Sequence, residues 1–314
     1  IMNRFRKENK SVIFISHDLD EIMEVCDTLT VLRDGKIIRT FEKAEFEAGA
    51  IRASMIGREL QGDYYRSDFQ ASSQPEVALD VRNLVYEDRL KGISFQVHKG
   101  EIVGIGGLAH CGMHSLGKVC FGALKPEEGS VTVEDGTIID SPAIAMKKRV
   151  GYVSKDRDVE SLCLNASIED NISIAGMSEF AINNFLILKN REKKYVNHQI
   201  EELSIKCAGR DQSVSQLSGG NKQKVVFGKW IGCGSEILIL DCPTRGVDIG
   251  VKQAMYQLMV RLKNEGKSIL MISEELPELI GMSDRILIMK NGEVSAEFER
   301  SETLSDAQII EYMI

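Results

Sequence analysis

Three short segments hold residue types whose spacing suits phosphate chemistry. Gly107-Leu108-Ala109-His110-Cys111-Gly112-Met113-His114 is a glycine-framed loop between an apolar run, Glu101–Ile105, and a stretch expected to be helical through Leu116 to Phe121. Strand, glycine loop and helix in that order aim successive backbone N–H groups and a helix N-terminus at one point, a pocket for an anion. Leu217-Ser218-Gly219-Gly220-Asn221 precedes a second helix, expected to begin near Lys222. Its serine hydroxyl and N–H groups offer further donors to a terminal phosphate. The run Ile237-Leu238-Ile239-Leu240-Asp241 reads as a buried strand with a carboxylate at its C-terminal end.

Elements must position these loops. Short alternating runs at Val77–Val81 and Ile93–Val97 predict antiparallel strands. Further strands are expected over 131–139 and 150–153, followed by a mostly helical stretch over about 167–207. The last third predicts helix 250–264, strand 268–272, helix 275–281, strand 285–289 and a turn at Asn291-Gly292. Strands alternating with helices imply an α/β fold with a mostly parallel sheet covered on both faces. An antiparallel β subdomain and a helical subdomain, about 155–230, accompany it.

The chain also repeats itself. Residues 10–36 (KSVIFISHDLDEIMEVCDTLTVLRDGK) align without a gap to 267–293 (KSILMISEELPELIGMSDRILIMKNGE), a constant offset of 267 − 10 = 257. Eight positions are identical, among them Ser16/Ser273, Leu19/Leu276, Glu21/Glu278, Asp27/Asp284 and Gly35/Gly292. So long a period is a duplicated domain, not a solenoid unit. The second copy of the unit ends a domain of roughly 240 residues, whereas the first copy begins ten residues into the chain. Residues 1–60 are therefore expected to be the tail of a first domain whose larger part is absent. That tail would supply one strand, one helix and a hairpin turning at Arg33-Asp34-Gly35-Lys36. It has too little apolar surface to fold alone. Residues 61–76 (QGDYYRSDFQASSQPE) read as a linker, and 77–314 as a second, complete domain.

Bulk properties narrow the class. A hydrophobic fraction of 43% with 27% charged residues is that of a soluble globular protein. No run of 18 apolar residues occurs, and the opening residues Ile1–Lys7 do not read as a signal peptide. A net charge of −8 argues against nucleic acid as a partner. Seven cysteines without a C-x-x-C pair suggest reduced thiols in a cytosol.

The order and spacing of the glycine loop, LSGGN (217–221), ILILD (237–241) and PTRGVD (243–248) resemble the ATP-binding cassette family. The wording of LSGGNKQK (217–224), LDCPTRGVDIG (240–250) and LPELIGMSDRI (276–286) is similar to the second cassette of tandem ATPases that drive ribose-, galactose- and xylose-type importers. The resemblance covers nearly the whole chain. It implies ATP and Mg²⁺ as cofactors, membrane permease subunits and a complementary cassette as partners, and a periplasmic or extracellular sugar-binding protein as an indirect one. It also implies a cytoplasmic place, peripheral on the inner face of the membrane. Within it, Leu217–Asn221 is the signature motif that meets a nucleotide held by the opposing cassette. Asp248 stands in the D-loop, which crosses the same interface, and a helix N-cap role is compatible with that. His17 stands at the first cassette's switch histidine and Glu274 at the second's. Asp241 ends the Walker B strand, with Cys242 where the family places a catalytic glutamate. Tyr86 lies about where cassettes stack an adenine.

The departures concern the chain's own pocket. A working phosphate loop reads GxxxxGK[ST], with lysine on the phosphates and a hydroxyl on Mg²⁺. Here Met113 removes the cation and His114 the hydroxyl, so His114 and Asp241 occupy the Mg²⁺ positions without the oxygen set that ion prefers. A Cys242 thiol poorly replaces a carboxylate base, and Lys155 stands where the family has an acidic residue. Losing one stabiliser of transition-state charge costs about 10²–10³ in rate. The expectation is one degenerate site, and one site shared between a first cassette's loop and this chain's intact signature. Alone, the chain would turn over little or no ATP. Three other readings compete: a signature-presenting scaffold or gene remnant; a dinucleotide fingerprint, Gly104–Ala109, with Glu134 or Asp135 as the ribose acid; and a metal cluster of His110, Cys111 and His114.

Overall fold

A computed structural model describes residues 2–16, 19–33, 35–56, 64–182 and 186–314. Two compact units are present: 1–64 with 248–254, and 65–247 with 255–314.

The first unit comprises α1 (Met2–Lys7), α2 (Leu19–Val25), the hairpin β1 (Thr28–Arg33) and β2 (Lys36–Glu42), and α3 (Ala48–Ile56). Its small core is Leu19, Val31, Phe41, Ile51 and Ile249.

The second unit begins with β3 (Val77–Tyr86), β4 (Leu90–His98), β5 (Ile102–Gly107), α4 (Met113–Cys120), β6 (Glu128–Val133), α5 (Pro142–Lys147) and β7 (Val150–Val153). The helical part follows as α6 (Ile168–Ser173), α7 (Met177–Phe180), the short strands β8 (Ala181–Ile182) and β9 (Leu186–Ile187), α8 (Lys189–Glu202) and α9 (Gly219–Gly232). Then come β10 (Ile237–Asp241), α10 (Ile249–Asn264), whose residues up to 254 belong to the first unit, β11 (Ser268–Ile272), α11 (Leu276–Met282), β12 (Arg285–Lys290), β13 (Glu293–Glu299) and α12 (Asp306–Met313).

The main sheet runs β13-β12-β5-β11-β10-β7, parallel throughout except for the antiparallel edge strand β13. Every residue of β5, β10 and β11 is buried, which is why these strands read as unbroken apolar runs and not as alternation. A separate antiparallel sheet, β4-β3-β6, alternates as the sequence indicates. In the helical part, α6, α8 and α9 pack on one another.

The repeat holds element by element. Shifting α2, β1 and β2 by 257 lands on α11, β12 and β13 with identical bounds, and the hairpin irregularity at Val31/Leu32 recurs at Ile288/Met289. One expected element is missing: residues 11–15 form no strand, although their counterparts are β11. Ile269–Ile272 are fully buried between β10 and β5, while Ile13 and Ile15 are 93% and 92% exposed. A parallel strand exists only if neighbours accept its backbone bonds on both sides. The first unit offers residues 11–15 no such neighbour among the described residues. Beside them lies an open groove of about 730 Å³ lined by Val12, Phe14, Ile22 and Leu29.

The strand expected through residue 139 ends at Val133, because the chain turns at Gly136 (φ +78°) and only Ile138 returns, opposite Thr132. The helix expected near Lys222 starts at Gly219, with Ser218 as its N-cap.

The second half of the expected linker is docked on the second unit. Arg66 is buried and its Nη1 lies 3.0 Å from Asp284 Oδ1. Asp284 also meets Lys263 Nζ at 3.0 Å and accepts from the N–H groups of Ile102 and Ser72.

Candidate functional site

The phosphate-loop frame is intact in backbone terms. Gly112 holds φ +102°, and a Cβ there would come 2.1 Å from the Arg89 carbonyl oxygen. A Cβ on Gly107 would sit 2.5 Å from both Cys111 Sγ and the Met289 carbonyl oxygen. Only glycine fits either position. The Cys111 N–H donates to Leu108 O (3.0 Å), and the Gly292 N–H donates to Cys111 O (3.1 Å), tying the loop to the β12–β13 turn. Leu108, Ala109 and His110 are exposed, whereas Cys111 is buried.

The side chains have a different arrangement from a phosphate clamp. Met113 is 1% exposed, so its thioether lies in the interior and its position presents no cation. His114, one step into α4, donates from Nδ1 to Asp241 Oδ1 at 2.7 Å. Its Nε2 accepts from Lys155 Nζ at 3.0 Å, which assigns the neutral Nδ1–H tautomer. Lys155 Nζ donates in turn to Glu274 Oε1 at 2.6 Å, and the Tyr152 hydroxyl donates to Asp241 Oδ2 at 3.2 Å. Both Asp241 oxygens are thereby engaged, in a residue with no exposure. The hydrogen bond from Lys155 holds the Glu274 carboxyl below its ordinary range, and the Lys155 charge adds to the effect. Burial pushes the Cys242 thiol well above its ordinary value, and the Asp241 charge adds to the rise. Burial, with the same carboxylate, does likewise to the Tyr152 hydroxyl. A thiol so raised is protonated near neutral pH and cannot serve as a base.

Tested against Mg²⁺, the donor set does not fit. Mg²⁺ requires about six oxygens in near-octahedral array. The groups at hand are an imidazole nitrogen, a thiol sulfur and a single carboxylate, which supply too few oxygens.

The remaining sequence candidates divide. Ser218 caps α9, its Oγ accepting from Asn221 Nδ2 at 3.0 Å, while Asn221 Oδ1 accepts from the Lys206 N–H at 2.8 Å. Ser218 is exposed, Gly219 and Asn221 are half-buried, and Leu217 and Gly220 are buried. This segment makes no hydrogen bond to the His114–Asp241 group among the described residues. Asp248 is exposed and accepts from the Val251 N–H at 3.0 Å, a helix cap. Tyr86 ends β3, half-buried. His17 lies outside the described residues. Arg157 turns inward, donating to the carbonyls of Arg245 (2.7 Å) and Gly246 (3.3 Å).

Of the competing acids, Glu134 pairs with Lys99 (2.8 Å) and Asp135 with Lys148, at the end of β6 in the antiparallel sheet. A dinucleotide's ribose acid belongs on a strand parallel to the first. His110 and Cys111 do not join His114. The group formed among the described residues is His114, Asp241 and Cys242.

Sequence reasoning missed Glu278, which is buried and accepts from Thr244 Oγ1 at 2.6 Å and from Ser273 Oγ. It joins the segment after β10 to the segment after β11. The signal was available: Glu21/Glu278 and Ser16/Ser273 are identical across the repeat.

A parallel sheet with a glycine loop leading from β5 into α4 and a carboxylate ending β10 defines the core of a nucleotide-binding cassette. Residues 90–245 match the family described as ABC transporter, and the chain belongs to that family. It is 37% identical over 315 residues to the ribose import ATP-binding protein RbsA of Clostridium tetani, covering 100% of this chain and 62% of that relative. The chain thus spans about three fifths of the length of the curated relatives it matches. Among solved structures, a nucleotide-free ATP-binding cassette from an ABC transporter superposes with a TM-score of 0.63 at 24% identity, over 76% of this chain and 99% of that one. The ADP conformation of an ATP-binding cassette superposes at 0.62, also at 24% identity, over 75% and 98%. Among the described residues, no helix is long and apolar enough to cross a membrane.

Proposed function

We propose that this chain is the C-terminal portion of the ATP-binding subunit of an ABC carbohydrate importer. In this reading residues 1–60 are the tail of a first cassette, 61–76 a linker and 77–314 a second cassette. Its own nucleotide pocket is non-hydrolytic, and its signature segment completes a site on a complementary cassette. Ribose is a fitting cargo class, since the relatives at about 37% identity are ribose import ATP-binding proteins. The subunit would work at the cytoplasmic face of the membrane, held there by permease subunits. Exposed apolar side chains on the helical part, Val159, Ile174 and Met177, suit that contact.

The observation supporting the degenerate pocket is the His114–Asp241 hydrogen bond. It joins the residue at the Mg²⁺-hydroxyl position to the Walker B carboxylate, with Met113 buried beside it. A second reading, a non-hydrolytic scaffold that presents the signature, is favoured by the same closure. The test is reconstitution. The chain alone is expected to hydrolyse ATP at background, and turnover is expected when a separately expressed, competent first cassette is added. Turnover by the chain alone sinks the degenerate-pocket reading. Silence of the mixture despite demonstrated binding leaves the scaffold.

A further inference from the structure

We propose that His114, Asp241 and Cys242 form a site for a borderline divalent metal, with Zn²⁺ as the matching ion, in the place where the family's pocket would meet Mg²⁺. This goes beyond the importer reading and does not depend on it.

Three donor atoms of different chemistry converge there: one imidazole nitrogen of His114, an Asp241 carboxylate oxygen and Cys242 Sγ all lie within 4.8 Å of one another, and Nδ1 is the nitrogen that meets Asp241. Nitrogen, oxygen and sulfur from three side chains, with a fourth position for water, is a Zn²⁺ donor set. Tetrahedral bonds of about 2.0–2.3 Å place ligand atoms roughly 3.4 Å apart. The 2.7 Å His114–Asp241 pair must therefore open by about 0.7 Å, within the reach of side-chain torsions.

Two further features fit. Cys242 is held at φ +49°, a left-handed conformation costly for a residue with a Cβ, while its N–H donates to Ile272 O at 2.8 Å. His114 Nε2 lies 3.4 Å from Glu274 Oε1. When Nδ1 binds metal, the imidazole proton moves to Nε2 and is donated to Glu274, the carboxylate–histidine–metal arrangement that orients such ligands. Lys155 then keeps Glu274 alone as its partner. The imidazole stays neutral, the Cys242 thiol releases one proton to solvent, and the metal–sulfur bond forms.

Titration of the chelator-treated 314-residue chain with Co²⁺, a spectroscopic stand-in for Zn²⁺, tests the site. The expected result is a thiolate-to-cobalt charge-transfer band saturating at one equivalent, displaced by Zn²⁺ and unaffected by excess Mg²⁺. Cys242→Ser, nearly isosteric and checked for folding by circular dichroism, should abolish the band, and His114→Ala should weaken binding beyond measurable saturation. Glu274→Gln should retain the band with affinity lowered about 10–100-fold. Cys163→Ser, at an exposed thiol, should change nothing. Absence of the band in the folded chain, or its persistence in folded Cys242→Ser, overturns the proposal.

Discussion

In a cassette pair assembled from this chain and a competent first cassette, Ser218→Ala is expected to lower ATP turnover about 10²–10³-fold. The hydroxyl of Ser218 is exposed at the start of α9. Its oxygen already accepts from Asn221 Nδ2, which leaves the O–H free to donate outward. Backbone N–H groups at the same helix start add fixed partial charge. Donors fixed in advance and aimed at developing phosphate charge act in the transition state more than in the ground state. Loss of the hydroxyl should therefore appear in kcat while nucleotide affinity moves little. Cys242→Ala in the same pair should leave turnover within about twofold, a difference near the limit of what rate comparisons resolve. Measuring kcat and KM for both variants against the parent pair checks this. Equal losses from the two would mean that the pocket of this chain is not idle.

The second large effect concerns stability. Asp284→Ala is expected to destabilise the second unit by about 3–5 kcal/mol. Asp284 is 1% exposed and is the counter-ion of two buried cations, Arg66 and Lys263, while accepting from the Ile102 and Ser72 N–H groups. Its removal leaves both cations in the interior and orphans two backbone donors. It also releases residues 66–72 from the base of β5. Urea unfolding of parent and variant should show a lower midpoint. A midpoint unchanged would show that the pair contributes nothing net, as happens where desolvation offsets attraction.

What could be read from the sequence depended on whether the signal was local. The mostly parallel, doubly covered sheet was reachable because β5, β10 and β11 are apolar runs, the mark of strands buried on both faces, whereas their order was not. The repeat announced the helix and the hairpin of the first unit, since the hairpin turn travels with the glycine. It failed at residues 11–15. The same pattern that builds β11 forms no strand there and leaves Ile13 and Ile15 exposed, because strand formation depends on neighbours that a pattern does not encode. In the site, spacing anticipated the glycine loop between β5 and α4 and the carboxylate ending β10, but not what the side chains there do. Met113 announced a lost cation, yet its burial is a tertiary fact. That His114, Lys155 and Glu274, separated by up to 160 positions (274 − 114 = 160), would satisfy one another required the fold to bring α4, the end of β7 and the end of β11 together. The resemblance placed Cys242 at a glutamate position, and nothing in the sequence marked it as one of three converging donors.

In the proposed reading, the chain's own pocket cannot use Mg²⁺ with a nucleotide. Calorimetric titration of ATP into the 314-residue chain, once with excess Mg²⁺ and once with the divalent ion removed, addresses that directly. The prediction is that Mg²⁺ makes no difference to the affinity, whatever its value. A tightening of tenfold or more, about 1.4 kcal/mol, that requires Mg²⁺ and disappears in Asp241→Asn would contradict it.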